Sequence, residues 1–356
     1  MWNKTKVTEL LNIDYPIIQG PFGGRFSTAN LVSTVSNLGG MGSFGLNAYH
    51  AEEIEQVSLD IQNVTSKPYS LNLWVPLKDD PANNYTAQDF EALKQKFSTL
   101  FGQAEIEIPN TLLNNGPRFE NQIEALFKNA PPVASFIYGM PEREILRELR
   151  KKGCKIIGTA TTVEEALYIE EAGADIVVAT GNAAGGHRAA FLNTTATGFI
   201  ETPELVEKMV QNVNIPVIAA GGITTSRDVE KMLKLGASAV QLGTVFLATD
   251  ESGAPNHHKQ KLLEKEGYQT TLTKVFTGRY GRVIQTPFIK KFKDVEQLAP
   301  YPLQSSFLAP LRRNYEEMGN HDLMAYWAGQ PSTVLKFRKA EELFTSLVKD
   351  LNISLG

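Results

Sequence analysis

The feature that most constrains this chain is the alternation of short β-branched runs with amphipathic segments through its first two thirds. Strands read at Pro16–Pro21, Gly40–Phe44, Tyr69–Val75, Val133–Tyr138, Lys155–Ala160, Asp175–Thr180, Pro216–Gly221 and Ala239–Thr244. Several are apolar without alternation, as strands covered on both faces of a parallel sheet are. Helical patterns lie between them at Ser27–Leu38, Ala51–Gln62, Pro141–Lys152, Val163–Ala172, Pro203–Val213 and Ser226–Leu235. Eight strands alternating with helices is the arithmetic of a (β/α)8 TIM barrel. A doubly wound open sheet accommodates the same count, and counting alone does not separate the two. Among the cap-like residues Thr162, Thr202 and Thr225, only Thr162 has a glutamate three positions on, so only that helix is expected to open with a capping box.

Two stretches interrupt the alternation. Leu77 to Ala130 is too long for one crossover and reads as an insertion carrying a helix near Ala87–Leu100. Beyond Phe246 strand signals fade, and helical patterns at His258–Lys265, Arg312–Met318 and Ala340–Leu351 dominate. The expected organisation is a barrel over 1–245 with an insertion at about 77–130, a helical substrate-side region over 246–335, and a C-terminal helix over 336–356 packed on the barrel. A net charge of −4 with 42% hydrophobic residues excludes disorder as the dominant state and argues against nucleic-acid binding that rests on charge. No apolar run approaches the ~18 residues of a membrane span. The first residues carry no apolar leader, so the cytoplasm is the expected location. Cys154 is the only cysteine, which excludes an intrachain disulfide and a multi-cysteine metal site.

Small residues gather where the late strands end. Gly221-Gly222 follows the seventh strand, and Gln241-Leu242-Gly243-Thr244 closes the eighth. In a barrel these ends are neighbours on the C-terminal face, where backbone N–H groups commonly cradle a phosphate. Taken alone, Gly221-Gly222 reads equally as a tight turn. The sixth strand runs into Gly185-Gly186-His187-Arg188, which puts an imidazole where barrel enzymes carry reacting groups. His50, His257, His258 and His321 lack that setting and are assigned to surface or packing. Gly40-Met41-Gly42-Ser43-Phe44-Gly45 matches the dinucleotide fingerprint, but a helix precedes it instead of a strand, so Gly39-Gly40 reads as a helix cap. No nucleophile elbow, P-loop or HExxH occurs.

Tyr15-Pro16-Ile17-Ile18-Gln19-Gly20, Ala184-Gly185-Gly186-His187-Arg188, Ala219-Ala220-Gly221-Gly222-Ile223 and Val240-Gln241-Leu242-Gly243-Thr244 together resemble the nitronate monooxygenase family, formerly called 2-nitropropane dioxygenase. The resemblance spans nearly the whole chain. It takes in the stretch from Ser135 to Pro141, Phe276-Thr277-Gly278-Arg279 with Arg282, and Tyr326-Trp327-Ala328-Gly329-Gln330. It implies a TIM barrel that binds FMN non-covalently, with a helical C-terminal region over the site. It also implies oxidation of alkyl nitronates, such as propionate 3-nitronate, by O2 to a carbonyl compound and nitrite. The partners would be the small-molecule nitronate and O2, with no nucleic acid and no membrane.

Carried over by residue, the resemblance makes His187 the catalytic base and puts the FMN phosphate and its surroundings at Gly222, Gln241, Leu242, Gly243 and Thr244. Flavin contacts fall at Asn72 and Gly185, and at Thr180, where the family usually has glutamine. Ala183 and Ala189 replace the usual Glu and Gly. Arg25 adds a cation after the first strand, able either to meet the substrate's charge or to pair with a nearby acid. Two further readings remain: an NAD(P)H-dependent FMN enoyl-acyl-carrier-protein reductase-like enzyme, and a flavin-free phosphate-binding barrel.

Overall fold

The computed structural model describes residues 1–77, 81–112, 116–193, 199–292 and 298–356. Eight parallel strands form one sheet: β1 (Ile17–Gln19), β2 (Gly42–Gly45), β3 (Tyr69–Trp74), β4 (Val133–Ile137), β5 (Lys155–Ala160), β6 (Ile176–Thr180), β8 (Val217–Ala220) and β9 (Ala239–Leu242). The short β7 (Gly186–His187) stands outside it. The sheet runs β1-β9-β8-β6-β5-β4-β3-β2, and a parallel bridge between Ile18 and Met41 brings its two ends together. The Met41 N–H donates to the Ile17 carbonyl at 3.1 Å, and the Gln19 N–H to the Met41 carbonyl at 2.9 Å. The fold is therefore a (β/α)8 TIM barrel, and the open-sheet reading is set aside.

Strand periodicity sorts the side chains. In β3, Leu71 and Leu73 enter the apolar layer between strands and helices, while Ser70, Asn72 and Trp74 face the cavity inside. The barrel floor is apolar: Ile18, Met41, Val133, Ile157, Ile176 and Ile218 pack with Val7 and Leu11 of the helix Lys6–Leu11, which plugs that end. Polar groups are thereby confined to the other end, where the strands finish.

Residues 119–129 form a helix whose Ile123, Ala125 and Leu126 belong to the barrel core. Its Gln122 amide donates to the carbonyls of Leu46 at 3.0 Å and Tyr49 at 2.9 Å. This is the crossover between β3 and β4. The preceding helix Ala87–Gln103 packs elsewhere: Phe97 and Phe101 join Phe292, Phe307 and Leu311 in a second core, built with the helix Leu303–Glu317 of the C-terminal region. That region also carries β10 (Thr270–Thr273) and β11 (Gly281–Ile284), which together with β7 make a three-stranded antiparallel sheet. The fading of strand signals after Phe246 missed both, because their partners lie far away in sequence. The final helix, Ala340–Leu355, packs on the helices Ser226–Lys234 and Ala29–Asn37 and completes the outer layer.

Two local expectations are corrected. Thr162 caps its helix, but the Glu165 carboxylate turns inward to accept from the Thr161 N–H at 2.7 Å and the Phe191 N–H at 2.7 Å. Of these three threonines it is Thr225 that opens a full capping box, closed by Asp228, whose shorter carboxylate also reaches back to the cap N–H. Thr202 lies inside its helix, which Glu201 caps, and its hydroxyl donates to the Gly221 carbonyl at 2.8 Å. The glycine fingerprint at 40–45 is structural, since a Cβ on Gly42 would collide with the Val32 backbone and one on Gly45 with Phe22.

The floor plug has a measurable share in stability. Leu11→Ala should lower the unfolding free energy by about 2–4 kcal/mol, the cost of emptying a closed apolar site. Calorimetric or urea unfolding checks this, and an unchanged transition would show that the helix does not seal the barrel.

Candidate functional site

Where the strands finish, a cavity of about 430 Å3 opens at the barrel mouth. Such a volume is typical of sites for small molecules and cofactors. Beside apolar residues such as Ile18, Met41 and Ile157, uncharged polar side chains line it: Ser43, Ser70, Asn72, Ser135, Thr159, Thr180 and Gln241. The Asn72 amide donates to the Ser135 hydroxyl at 3.0 Å, and Ser70 reaches the same oxygen at 3.1 Å. These bonds fix the amide's direction. They follow from the register that sets Asn72 beside Ser135 across the β3–β4 ladder.

Of the residues singled out from sequence, Asn72, Thr180, Gly185, His187, Gly222, Gln241, Gly243 and Thr244 line this one cavity. Leu242 is the exception. Its side chain is buried in the layer between strands and helices, and only its backbone remains on the ladder, accepting from the Gly20 N–H at 2.9 Å. The alternation that turns Gln241 inward turns Leu242 outward.

The glycines differ in what they do. Gly222 has φ +73°, and a Cβ there would stand 2.8 Å from the Ala183 Cβ, so it serves both the turn and the packing. Gly185 lies against the backbone of Ala328 and Gly329, leaving no room for a side chain. Gly243 faces open space, with only the Phe22 ring at 4.0 Å from an added Cβ. Its missing side chain leaves a hollow beside Thr244, whose hydroxyl accepts from the Gly329 N–H at 2.8 Å.

His187 is held by an element the sequence did not reveal. β7 pairs with β11, so that His187 stands opposite Gly281 and Gly186 opposite Arg282. Its Nε2 lies 2.9 Å from the Thr277 hydroxyl. Three aromatic rings surround the imidazole: Trp327 at 4.6 Å, Trp74 at 5.4 Å and Tyr301 at 5.7 Å between centroids. Burial, reinforced by the Arg279 guanidinium, pulls its pKa down to about 3. At neutral pH the imidazole is therefore uncharged, with one nitrogen able to accept a proton or hydrogen bond. Trp74, Thr277, Tyr301 and Trp327 are site residues that reasoning from sequence did not assign. Thr277 and Trp327 lay within stretches already noticed for their resemblance.

None of the other four histidines lines the cavity, and His50 opens the helix Ala51–Val64. His258 Nε2 lies 3.0 Å from the Trp327 carbonyl, and His257 stacks on His321 with centroids 3.8 Å apart. Arg25 does not reach the cavity wall; it pairs with Glu53 at 2.7 Å and lies over the Tyr49 ring. Arg282 is buried and binds the Asn182 carbonyl and side-chain oxygens at 2.8 and 2.9 Å. None of the described helices is long and apolar enough to cross a membrane.

A family model described as nitronate monooxygenase matches residues 4–350. A probable nitronate monooxygenase from Staphylococcus saprophyticus is 37% identical over 98% of both chains. A nitroalkane oxidase from Streptomyces ansochromogenes shares the fold with a TM-score of 0.88 and 31% identity, again over 98% of both. FabK from Thermotoga maritima superposes with a TM-score of 0.73 at 25% identity, covering 99% of this chain and 97% of its own.

The low histidine pKa values are testable. For His187 at about 3 and His258 at about 4, the folded value lies below the ordinary 6.5. The unfolded chain then binds more protons below about 6.5, so stability should fall as pH drops through that window toward 4. Titration of the His187 ring by NMR should show no protonation above pH 5; a midpoint near 6.5 would contradict the burial argument.

Proposed function

This chain belongs to the nitronate monooxygenase family, a group of flavin-dependent oxidoreductases, and on that premise we propose that it binds FMN and oxidises alkyl nitronates with O2 to a carbonyl compound and nitrite. The observation that carries the reading is the single cavity that joins the Gly221-Gly222 and Gly243-Thr244 turns to His187 and its aromatic wall. The hollow at Gly243 fits a phosphate next to backbone, and Asn72, Thr180 and Gln241 suit the polar edge of a heterocycle. Gly185 would keep the Ala328-Gly329 backbone close above that ring site. A mononucleotide suits this site better than a dinucleotide, since the one glycine fingerprint is spent on packing β2 against its helix. Bound there, FMN supplies oxidation of a carbanion and transfer of its electrons to O2.

The chain's own residues do the rest. Trp74, Tyr301 and Trp327 exclude water and hold an apolar carbon skeleton beside His187. A nitronate is already an anion, so it needs no base. For a neutral nitroalkane, His187 would have to take up the α-proton, and its low pKa makes the imidazolium costly. The site is therefore better suited to preformed nitronates. The protein is read as acting in the cytoplasm, on a small-molecule substrate.

Three outcomes follow. Flavin released by denaturation should be FMN; recovery of FAD would contradict the mononucleotide site. Gly243→Leu, at φ −104°, adds bulk without backbone strain and should weaken flavin retention about tenfold or more, measured by fluorescence titration. His187→Asn should cost more on neutral nitroalkanes, by about 10²–10⁴ in kcat/KM, than on preformed nitronates. Equal losses on both would make His187 a positioning group instead of a base.

A further inference from the structure

Thr277 lies in the turn before β11, and three polar atoms around its hydroxyl decide what that hydroxyl can do. His187 Nε2 is 2.9 Å away, the Arg279 carbonyl 3.3 Å and the Arg279 N–H 3.4 Å. A hydroxyl has one proton to give and two lone pairs to offer. A carbonyl only accepts and a backbone N–H only donates, so Arg279 takes the proton and one lone pair. The remaining lone pair can serve Nε2 only if that nitrogen carries a proton. Turning the hydroxyl proton toward Nε2 instead would strand the Arg279 carbonyl, which takes its hydrogen bond from Thr277. It would also leave the ring's own N–H on Nδ1, away from this fixed acceptor. An orphaned donor is the costlier of the two faults.

The turn holds the hydroxyl in place. Thr277 is buried, its N–H donates to the Lys274 carbonyl at 3.2 Å, and the Gly278 N–H donates to the same oxygen at 2.7 Å. Gly278 is pressed against the backbone of Ala299 and Pro300, with no room for a side chain. Threonine adds a stiff χ1 to that rigid backbone. On the other side, the pairing of His187 with Gly281 fixes the imidazole. With Nε2 committed to Thr277, Nδ1 is the nitrogen left for a ligand in the cavity that His187 lines.

We propose that Thr277 is a positioning residue: its hydroxyl accepts from Nε2–H of His187, holds the imidazole in that one tautomer, and so makes Nδ1 the atom that meets the substrate. The proposal rests on the nitronate reading of the cavity and adds to it the atom that takes up a proton. With a neutral nitroalkane, the α C–H bond breaks and its electron pair passes into the nitro group, giving the nitronate. The proton becomes Nδ1–H, and the imidazolium so formed keeps its Nε2–H on the Thr277 oxygen. A preformed nitronate gives up no proton and draws nothing from the Nδ1 lone pair.

The test reads the ring nitrogens directly, by NMR of histidine-labelled, flavin-loaded protein, with His187 assigned through its loss in His187→Asn. Its Nε2 should be protonated and its Nδ1 bare. His258 supplies an internal reference for that pattern, because its Nε2 meets the Trp327 carbonyl, which can only accept. Thr277→Val removes the acceptor and should let the second tautomer appear. It should also cost about tenfold more in kcat/KM on nitroethane than on preformed ethyl nitronate. Thr277→Ser keeps the hydroxyl and should restore both the spectrum and the rate. A protonated Nδ1 in the parent protein would overturn the proposal. So would a Thr277→Val protein that keeps the parent tautomer, or one that loses equally on both substrates. If Thr277→Val does not fold, the parent spectrum and Thr277→Ser still decide. If no nitro compound is oxidised by any of these proteins, the nitronate reading fails, and the spectra alone decide the role of Thr277.

Discussion

The short ladder between Gly186-His187 and Gly281-Arg282 is the contact on which the rest of the site depends. It is only two residues long, yet it joins the loop after β6 to the C-terminal region. The Arg188 N–H extends it by donating to the Tyr280 carbonyl at 2.8 Å, and the Arg282 guanidinium clamps Asn182 on the same loop. The imidazole is thereby fixed relative to the barrel on one side and to Thr277 on the other. A loop histidine without such pairing would sample many directions, and its ring would stay hydrated and close to its ordinary pKa.

The barrel contributes a complementary constraint. Its floor is closed by apolar side chains and by Val7 and Leu11, so ligand polarity can be met only at the mouth. There the inward strand positions Ser43, Ser70, Asn72, Ser135, Thr159, Thr180 and Gln241 are amides and hydroxyls without formal charge. The rings of Trp74, Tyr301 and Trp327 around the buried His187 imidazole lower the local dielectric, which strengthens electrostatic contacts beside it.

Much of this was legible in the sequence, and the misses have physical causes. Strand positions and the glycine-bearing ends of β8 and β9 follow from local pattern, and Asn72, Thr180, Gln241 and His187 converge as strand-end residues should. Leu242 entered with its motif as a whole, and period-two alternation turns its side chain away from the cavity that Gln241 lines. Glu165 looked like a helix cap because spacing sees only the local turn. Its buried carboxylate instead answers N–H groups twenty-six and twenty-seven residues away, at Phe191 and Leu192. Trp74, Tyr301 and Trp327 come from three distant segments, and contacts remote in sequence, among them the bridge between Trp327 and Val283 of β11, bring them around one imidazole.

The central claim is that this site uses a nitronate, not a nicotinamide, as the electron source and passes the electrons to O2. The most direct measurement is anaerobic mixing of the flavin-loaded protein with ethyl nitronate and, separately, with NADH and NADPH, followed by admission of O2. The account predicts that the nitronate perturbs the flavin absorption, that both nicotinamides leave it unchanged, and that nitrite appears once O2 is admitted. Rapid bleaching by NADH or NADPH, with no nitrite formed from the nitronate, would contradict it.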